Sequence, residues 1–319
     1  MQAAQPRPEQ PLVSIVVPVL DEQECVDELV RRVVAALEGI RFELLFVDDG
    51  SRDQTAARVA ALRASDSRVK AIGFTRRFGH QAALTAGLRF ASGDAVITMD
   101  GDLQHPPELL PELIAAWRAG ADVVHAVRRD AGQPSRVWKA RSARWFYSFW
   151  SRISPTPVVA EGADFRLLDR RVVRVLNDLE EHFVFVRGLV PWLGFRDARI
   201  EYQPEGRFAG RSKYRLRPML RLALDGIFSF SMVPLRVISL LGAITAALGV
   251  VYGVFALVAL ALGKVEASGW TSIVVLILVF GGVQLLSLGV VSEYVGRTYE
   301  EVKRRPRYVI DRLEGIEWP

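Results

Sequence analysis

Two long runs without a charged side chain decide most of what this chain can become. Residues 237–262 and 271–292 contain no Asp, Glu, Lys or Arg. At about 1.5 Å rise per residue they form helices roughly 39 and 33 Å long, enough to cross a hydrocarbon layer with some tilt. Soluble core helices rarely reach such lengths without a charge. A short turn carrying Gly263, Lys264, Glu266, Ser268 and Gly269 joins them, so the pair reads as a transmembrane hairpin.

The flanks orient it. Arg211, Lys213, Arg215, Arg217, Arg221 and Arg236 precede the first run; Arg297, Lys303, Arg304, Arg305 and Arg307 follow the second. Basic residues stay on the cytoplasmic side, which predicts both termini there. Trp270 and Tyr294 stand near the span ends, where amphipathic aromatics favour the interface. The first ten residues have no apolar core, so no signal peptide is expected. The long front segment is therefore expected to be cytoplasmic.

That front segment has the composition of a folded domain: the whole chain is 50% hydrophobic and 24% charged, which excludes disorder, collagen and coiled coil. A single cysteine, Cys25, excludes an internal disulfide and a cysteine zinc site. The net charge of +5 is concentrated at the membrane boundary, which favours lipid and phosphate over nucleic acid.

Strand patterns at 12–19, 42–47, 69–74, 95–99 and 122–127 alternate with helical patterns at 22–37, 53–64, 79–90 and 107–119. Gly39 suits a helix C-terminus, Ser51 an N-cap, and Pro107 a first helical turn. Repeated β-α units imply a Rossmann-like, mostly parallel α/β sheet, whose ligands bind beyond the carboxyl ends of the strands.

Those ends carry acids. Glu22 follows the first strand, Asp48 and Asp49 end the second, and Asp100 and Asp102 end the fourth. Each alone is also a good turn or cap residue, and for Asp48-Asp49-Gly50-Ser51 the turn reading stays open. In Asp100-Gly101-Asp102-Leu103-Gln104 two carboxylates and an amide offer oxygen to one hard cation, Mg²⁺ or Mn²⁺, of the kind that shares its shell with substrate phosphates. Gly101 lets the backbone approach a ligand closely.

Together Val16-Val17-Pro18…Glu22, Val47-Asp48-Asp49-Gly50-Ser51 and Asp100-Gly101-Asp102 resemble glycosyltransferase family 2. Arg207-Phe208-Ala209-Gly210-Arg211-Ser212-Lys213-Tyr214, then Leu224-Asp225-Gly226 and the hairpin, resemble its polyprenyl-phosphate branch, which includes dolichol-phosphate mannose synthases and bacterial undecaprenyl-phosphate glucosyltransferases. The resemblance runs from about residue 12 to 309 and implies a GT-A fold, a nucleotide-sugar donor and inversion at the anomeric carbon.

By that resemblance Pro18, Leu20, Glu22, Val47, Asp49, Asp100 and Gly101 hold the nucleotide sugar, and Leu20 stands where many members have an aromatic residue. Asp100, Asp102 and Gln104 surround the metal; Arg128 reaches a phosphate; Arg207, Ser212 and Lys213 bind the diphosphate or the acceptor phosphate. Asp102 and Asp164 are the catalytic candidates, Asp164 as base, orienting group, or simply the partner of Arg166. The expected layout is a flexible stretch 1–11, a GT-A domain 12–214, a juxtamembrane amphipathic helix 215–232, the hairpin 233–295 and a basic cytoplasmic tail 296–319. The resemblance also implies the inner membrane and a homotetramer.

Residues 136–150 and 216–230 mix basic and aromatic or aliphatic residues, a pattern of membrane interfaces. His80, His105, His125 and His182 show no metal-ligand spacing. The expected reaction is glucose transfer from UDP-glucose to undecaprenyl phosphate. Mannose, N-acetylglucosamine or an aminopentose remain open as the sugar. A processive synthase lacks its Gln-x-x-Arg-Trp signature here; a non-catalytic scaffold or translocation partner is the rival of another class.

Overall fold

The computed structural model describes residues 7–129, 162–179, 181, 186–203, 232–262 and 269–318. The chain divides into two compact units. One comprises residues 1–215 and 305–319, the other residues 216–304.

The first unit is built on an eight-stranded sheet in the order β7-β5-β6-β4-β1-β2-β3-β8. Its centre is β1 (Val13–Val19) beside β2 (Phe42–Asp48), and every residue of both strands is buried. Such continuous burial marks strands covered on both faces. β3 (Val69–Phe74) lies parallel to β2, and β4 (Ala95–Thr98) parallel to β1. β4 pairs with β1 only as far as Val16. Pro18 lies past that ladder, where its missing N–H is tolerated.

The covering helices are α1 (Val26–Ala36), α2 (Thr55–Ser65), α3 (His80–Phe90) and α4 (Leu110–Arg118), the last entered through a 3-10 turn at Pro107–Leu109. α3 passes so close to β1 that a Cβ on Gly87 would lie 2.1 Å from Val16 Cγ1. On one face of the sheet Ile15, Leu44, Phe46 and Ile97 pack with Leu29, Val33, Leu113, Ile114 and Trp117 of α1 and α4 in one core cluster.

β5 (Val123–Arg128), β6 (Gly162–Asp169) and β7 (Asp197–Tyr202) complete one side, joined by α5 (Arg170–Asp178) and α6 (Val186–Trp192). The sheet is mostly parallel, as expected, but β6 runs antiparallel to both β4 and β5. The opposite edge is β8 (Ile310–Glu314), antiparallel to β3. The segment expected as a basic tail is thus in part a strand of the sheet, because the edge of β3 offers it unpaired backbone groups.

Two local expectations change. The first helix starts at Val26 rather than at residue 22. Ser51 does not cap α2: its hydroxyl accepts the Asp21 N–H at 3.0 Å, and Asp53 accepts the Thr55 N–H instead at 2.9 Å. Tying two loops together uses the hydroxyl that a cap would need.

The second unit holds α7 (Val233–Ala261) and α8 (Trp270–Val302), a hairpin of apolar helices long enough to cross a membrane. α8 continues beyond the apolar run, where Arg297 pairs with Glu293 at 2.9 Å. Leu240, Val250, Phe255, Ile277 and Leu285 on these helices are exposed.

Candidate active site

The carboxyl ends of β1, β2 and β4 meet along one edge. Leu20 and Glu22 follow β1, half-buried. The Glu22 N–H donates to Thr55 Oγ1 at 2.9 Å and the Arg52 N–H to Asp21 Oδ1 at 2.8 Å, so the loops after β1 and β2 form one braced wall. Pro18 and Val47 are register partners beneath it and are buried, so they form its floor.

Asp48 and Asp49 end up with different tasks. Asp48 Oδ1 accepts the Ser51 N–H at 2.8 Å, which fixes the turn. Asp49 accepts the backbone N–H groups of Phe78 at 2.6 Å and Gly79 at 2.9 Å, shaping the loop before α3. Burial raises the Asp49 pKa, and those N–H groups with Arg77 offset only part of it.

Beyond β4, Asp100 is about one-third exposed and Asp102 half-buried. Gly101 between them packs on β1: a Cβ there would lie 2.9 Å from Val19 Cγ1. Asp102 Oδ2 accepts from Gln104 Nε2 at 2.8 Å, and Gln104 Oε1 accepts from Arg128 Nη2 at 3.4 Å. Arg128 Nε in turn donates to the Tyr202 hydroxyl at 3.2 Å. Asp102, Gln104, Arg128 and Tyr202 are therefore linked by hydrogen bonds, and Asp100 stands two residues before Asp102 in the same loop.

His105 supports it from below. Its Nδ1 accepts the Asp100 N–H at 3.0 Å, and its ring stacks on Phe165 at 4.9 Å. Burial lowers its pKa and keeps the ring neutral. The proton then sits on Nε2, which lies 3.7 Å from Asp100 Oδ2 and has no hydrogen-bond partner among the described residues.

Asp164, on β6, is deeply enclosed by cations. Arg187 from α6 grips it with two bonds of 2.9 and 2.8 Å, Arg166 lies at 3.4 Å and His80 Nε2 at 3.1 Å. Burial opposes its ionisation, yet the His80 hydrogen bond and the Arg187 and Arg166 charges prevail and hold the carboxyl far below the usual range. Conversely, burial lowers the Arg166 pKa to about 10. His80 also faces Asp100 Oδ1 at 3.6 Å. Burial works against its protonation, but Asp164 and Asp100 outweigh that and raise its pKa.

Arg187, His80 and Tyr202 were absent from the sequence-derived site. Arg187 lies in an unremarkable apolar stretch, and only the arrival of α6 beside β6 makes it a partner. His80 had one available signal, its place directly after Gly79 at the start of a helix. Arg207, Ser212, Lys213, His182 and the segments 136–150 and 216–230 lie outside the described residues.

A cation fits the exposed part of this group. Asp100, Asp102 and Gln104 offer hard oxygen atoms at one edge, the donor chemistry Mg²⁺ and Mn²⁺ prefer. No cluster of three or more His, Cys, Asp or Glu suited to a metal occurs among the described residues.

Comparison with known proteins agrees with this architecture. Residues 14–176 match the glycosyl transferase family 2 domain, and residues 233–298 the GtrB C-terminal hairpin. A bactoprenol glucosyl transferase from Shigella phage SfII is 41% identical over 302 residues, covering 94% of this chain and 97% of its own. An Escherichia coli K12 prophage bactoprenol glucosyl transferase homolog is 39% identical, covering 95% and 99%. The glucosyl-3-phosphoglycerate synthase of Mycobacterium tuberculosis, crystallised with Mn²⁺, uridine diphosphate and phosphoglyceric acid, shares the fold. Its TM-score is 0.50 at 18% identity, covering 68% of this chain and 76% of its own. With a matching domain, a matching hairpin and relatives near 40% identity over almost their whole length, this chain belongs to glycosyl transferase family 2 and is a glycosyltransferase.

Proposed function

We propose that the enzyme transfers glucose from UDP-glucose to the phosphate of undecaprenyl phosphate, with inversion, at the cytoplasmic face of the inner membrane. One observation carries this reading. The half-buried oxygen donors Asp100 and Asp102 and a GtrB-type hairpin occur together in a chain that matches a bactoprenol glucosyl transferase over 94% of its length.

In this reading Leu20, Glu22 and the braced loops receive the nucleotide over the floor of Pro18 and Val47. Asp49 keeps the loop at 75–79 in shape from beneath. Asp100 and Asp102, with Gln104, hold Mg²⁺ or Mn²⁺. When bound, the cation neutralises charge on the departing diphosphate. Arg128, tethered to Gln104 and Tyr202, adds a second positive group on the same side. An acceptor phosphate oxygen forms the new bond to the anomeric carbon as the bond to the diphosphate breaks. That oxygen is already anionic near neutral pH, so no proton has to be removed from it.

Asp164 then acts as a positioning residue rather than a base. Its oxygen atoms are occupied by Arg187, Arg166 and His80, and so acidic a carboxyl is a poor proton acceptor. It holds His80 near Asp100. Arg207, Ser212 and Lys213 are assigned to the diphosphate and the acceptor phosphate. The basic flanks of the hairpin support cytoplasmic termini. Gly281, Gly282 and Gly289 leave open helix surface for self-association into the expected tetramer.

The test is a radiolabelled transfer assay with the full-length protein in detergent and undecaprenyl phosphate. UDP-glucose should give an acid-labile labelled lipid, chelator should stop it, and Asp102→Ala should abolish it. Transfer from GDP-mannose, UDP-N-acetylglucosamine or a UDP-aminopentose instead would correct the sugar. No donor turnover with any of them would favour a scaffold.

A further inference from the structure

The strand that follows the membrane hairpin carries a residue with reach into the donor wall. In the sheet, Asp48 on β2 is the register partner of Gly73 on β3, and Gly73 is the register partner of Arg312 on β8. The three residues form one row across three strands. The middle position is bare, and the Arg312 side chain lies over it: a Cβ on Gly73 would come within 2.9 Å of Arg312 Nε and 3.1 Å of Nη2. Across that gap Arg312 Nη2 reaches Asp48 Oδ2 at 3.6 Å, while Asp48 Oδ1 accepts from the Ser51 N–H.

The same segment grips the next loop. The Thr75 N–H donates to the Val309 carbonyl at 3.1 Å, and Tyr308 stacks on Phe74 at 5.1 Å. That loop is the one whose Phe78 and Gly79 N–H groups bind Asp49. The strand is therefore tied to both acids of the Asp48-Asp49 turn, directly through Arg312 and indirectly through residues 74–79.

We infer that Arg312 is a positioning residue for the nucleotide donor: from β8, across Gly73, it holds Asp48 and with it the turn that walls the donor pocket. The inference rests on the proposed donor site. It gives the C-terminal segment a part in donor binding that a topology anchor does not have.

The experiment uses full-length protein in detergent and measures two quantities. One is the Kd for UDP, GDP and CDP with Mn²⁺ by calorimetry; the other is steady-state transfer from UDP-glucose. Arg312→Ala should weaken binding of the preferred nucleotide and raise donor KM by about fivefold, the upper range for a half-exposed ion pair. The kcat and the lipid KM should stay within about twofold, because such a pair acts only on the donor wall. Arg312→Lys should recover most of the loss. Gly73→Ala, which displaces the guanidinium without removing its charge, should reproduce it. Arg312→Ala combined with Asp48→Asn should cost no more than either alone.

Unchanged nucleotide affinity in Arg312→Ala overturns the inference, as does a loss confined to melting temperature or kcat. If the wild type binds a nucleoside diphosphate but transfers no glucose, the donor reading fails, and Arg312 is judged on that nucleotide's Kd. If the wild type binds none of the three, both fail.

Discussion

Replacing Asp164 with alanine is the sharpest perturbation this site allows. The carboxylate side chain is 3% exposed and neutralises Arg166, itself 2% exposed, together with the one-third-exposed Arg187. Removing one partner of a buried ion pair costs about 3–5 kcal/mol, mainly because the other charge is left uncompensated. Arg187 can turn to water and Arg166 cannot, so the lower end applies, about 3 kcal/mol. For a domain of this size each kcal/mol shifts the melting temperature by about 2–4 °C, which gives a fall of about 6–12 °C. The assay is thermal unfolding of the full-length protein in detergent, followed by tryptophan fluorescence. Arg187→Ala, which leaves the Arg166 contact intact, should fall by less than half as much. Because the Asp164 carboxyl is held far below the usual range, kcat/KM of the wild type should also show no acid limb from it between about pH 5 and 8. A melting point unchanged by Asp164→Ala, with kcat lost, would refute the reasoning and return Asp164 to the chemistry.

Three further outcomes are expected. His125 is buried, its Nδ1 has no hydrogen-bond partner among the described residues, and burial plus the Arg166 charge lower its pKa to about 4, with Asp197 and Arg199 the other charges near it. Its neutral form is favoured on folding, so stability is full above about pH 6.5 and falls by about 3 kcal/mol as pH approaches 4; denaturant unfolding of His125→Gln should show a flatter slope over that window. Gly87→Ala forces a methyl into Val16 and should cost about 1–3 kcal/mol, read as a lower melting temperature with donor KM unchanged. Chelation should weaken UDP binding in the wild type, whereas UDP binding by Asp102→Ala should no longer respond to added Mn²⁺, a readout independent of turnover.

The amino-acid sequence alone determined the features that arise from short-range pattern. Uncharged runs fixed the hairpin, because lipid tolerates so few charges along one helix. Continuous apolar runs fixed β1, β2 and β4, and the acids directly after them were already at the carboxyl edge, because a strand's end and the next residue cannot be far apart. Asp100 and Asp102 follow β4 directly, and the hydrogen bonds that join Asp102 to Gln104 and Gln104 to Arg128 come from the fold. Tertiary structure decided what depends on pairing between distant segments. Backbone ladders are nearly blind to side chains, so neither the antiparallel course of β6 nor the return of β8 to β3 was legible. Ser51 was read as a cap, since nothing local reveals that the Asp21 N–H takes its hydroxyl. Asp164 carries one local partner, Arg166, but its acidity comes from His80 and Arg187, delivered by helices from other parts of the chain. A carboxylate's role is set by which charges the fold brings within a few ångströms of it, and that distance is a property of packing.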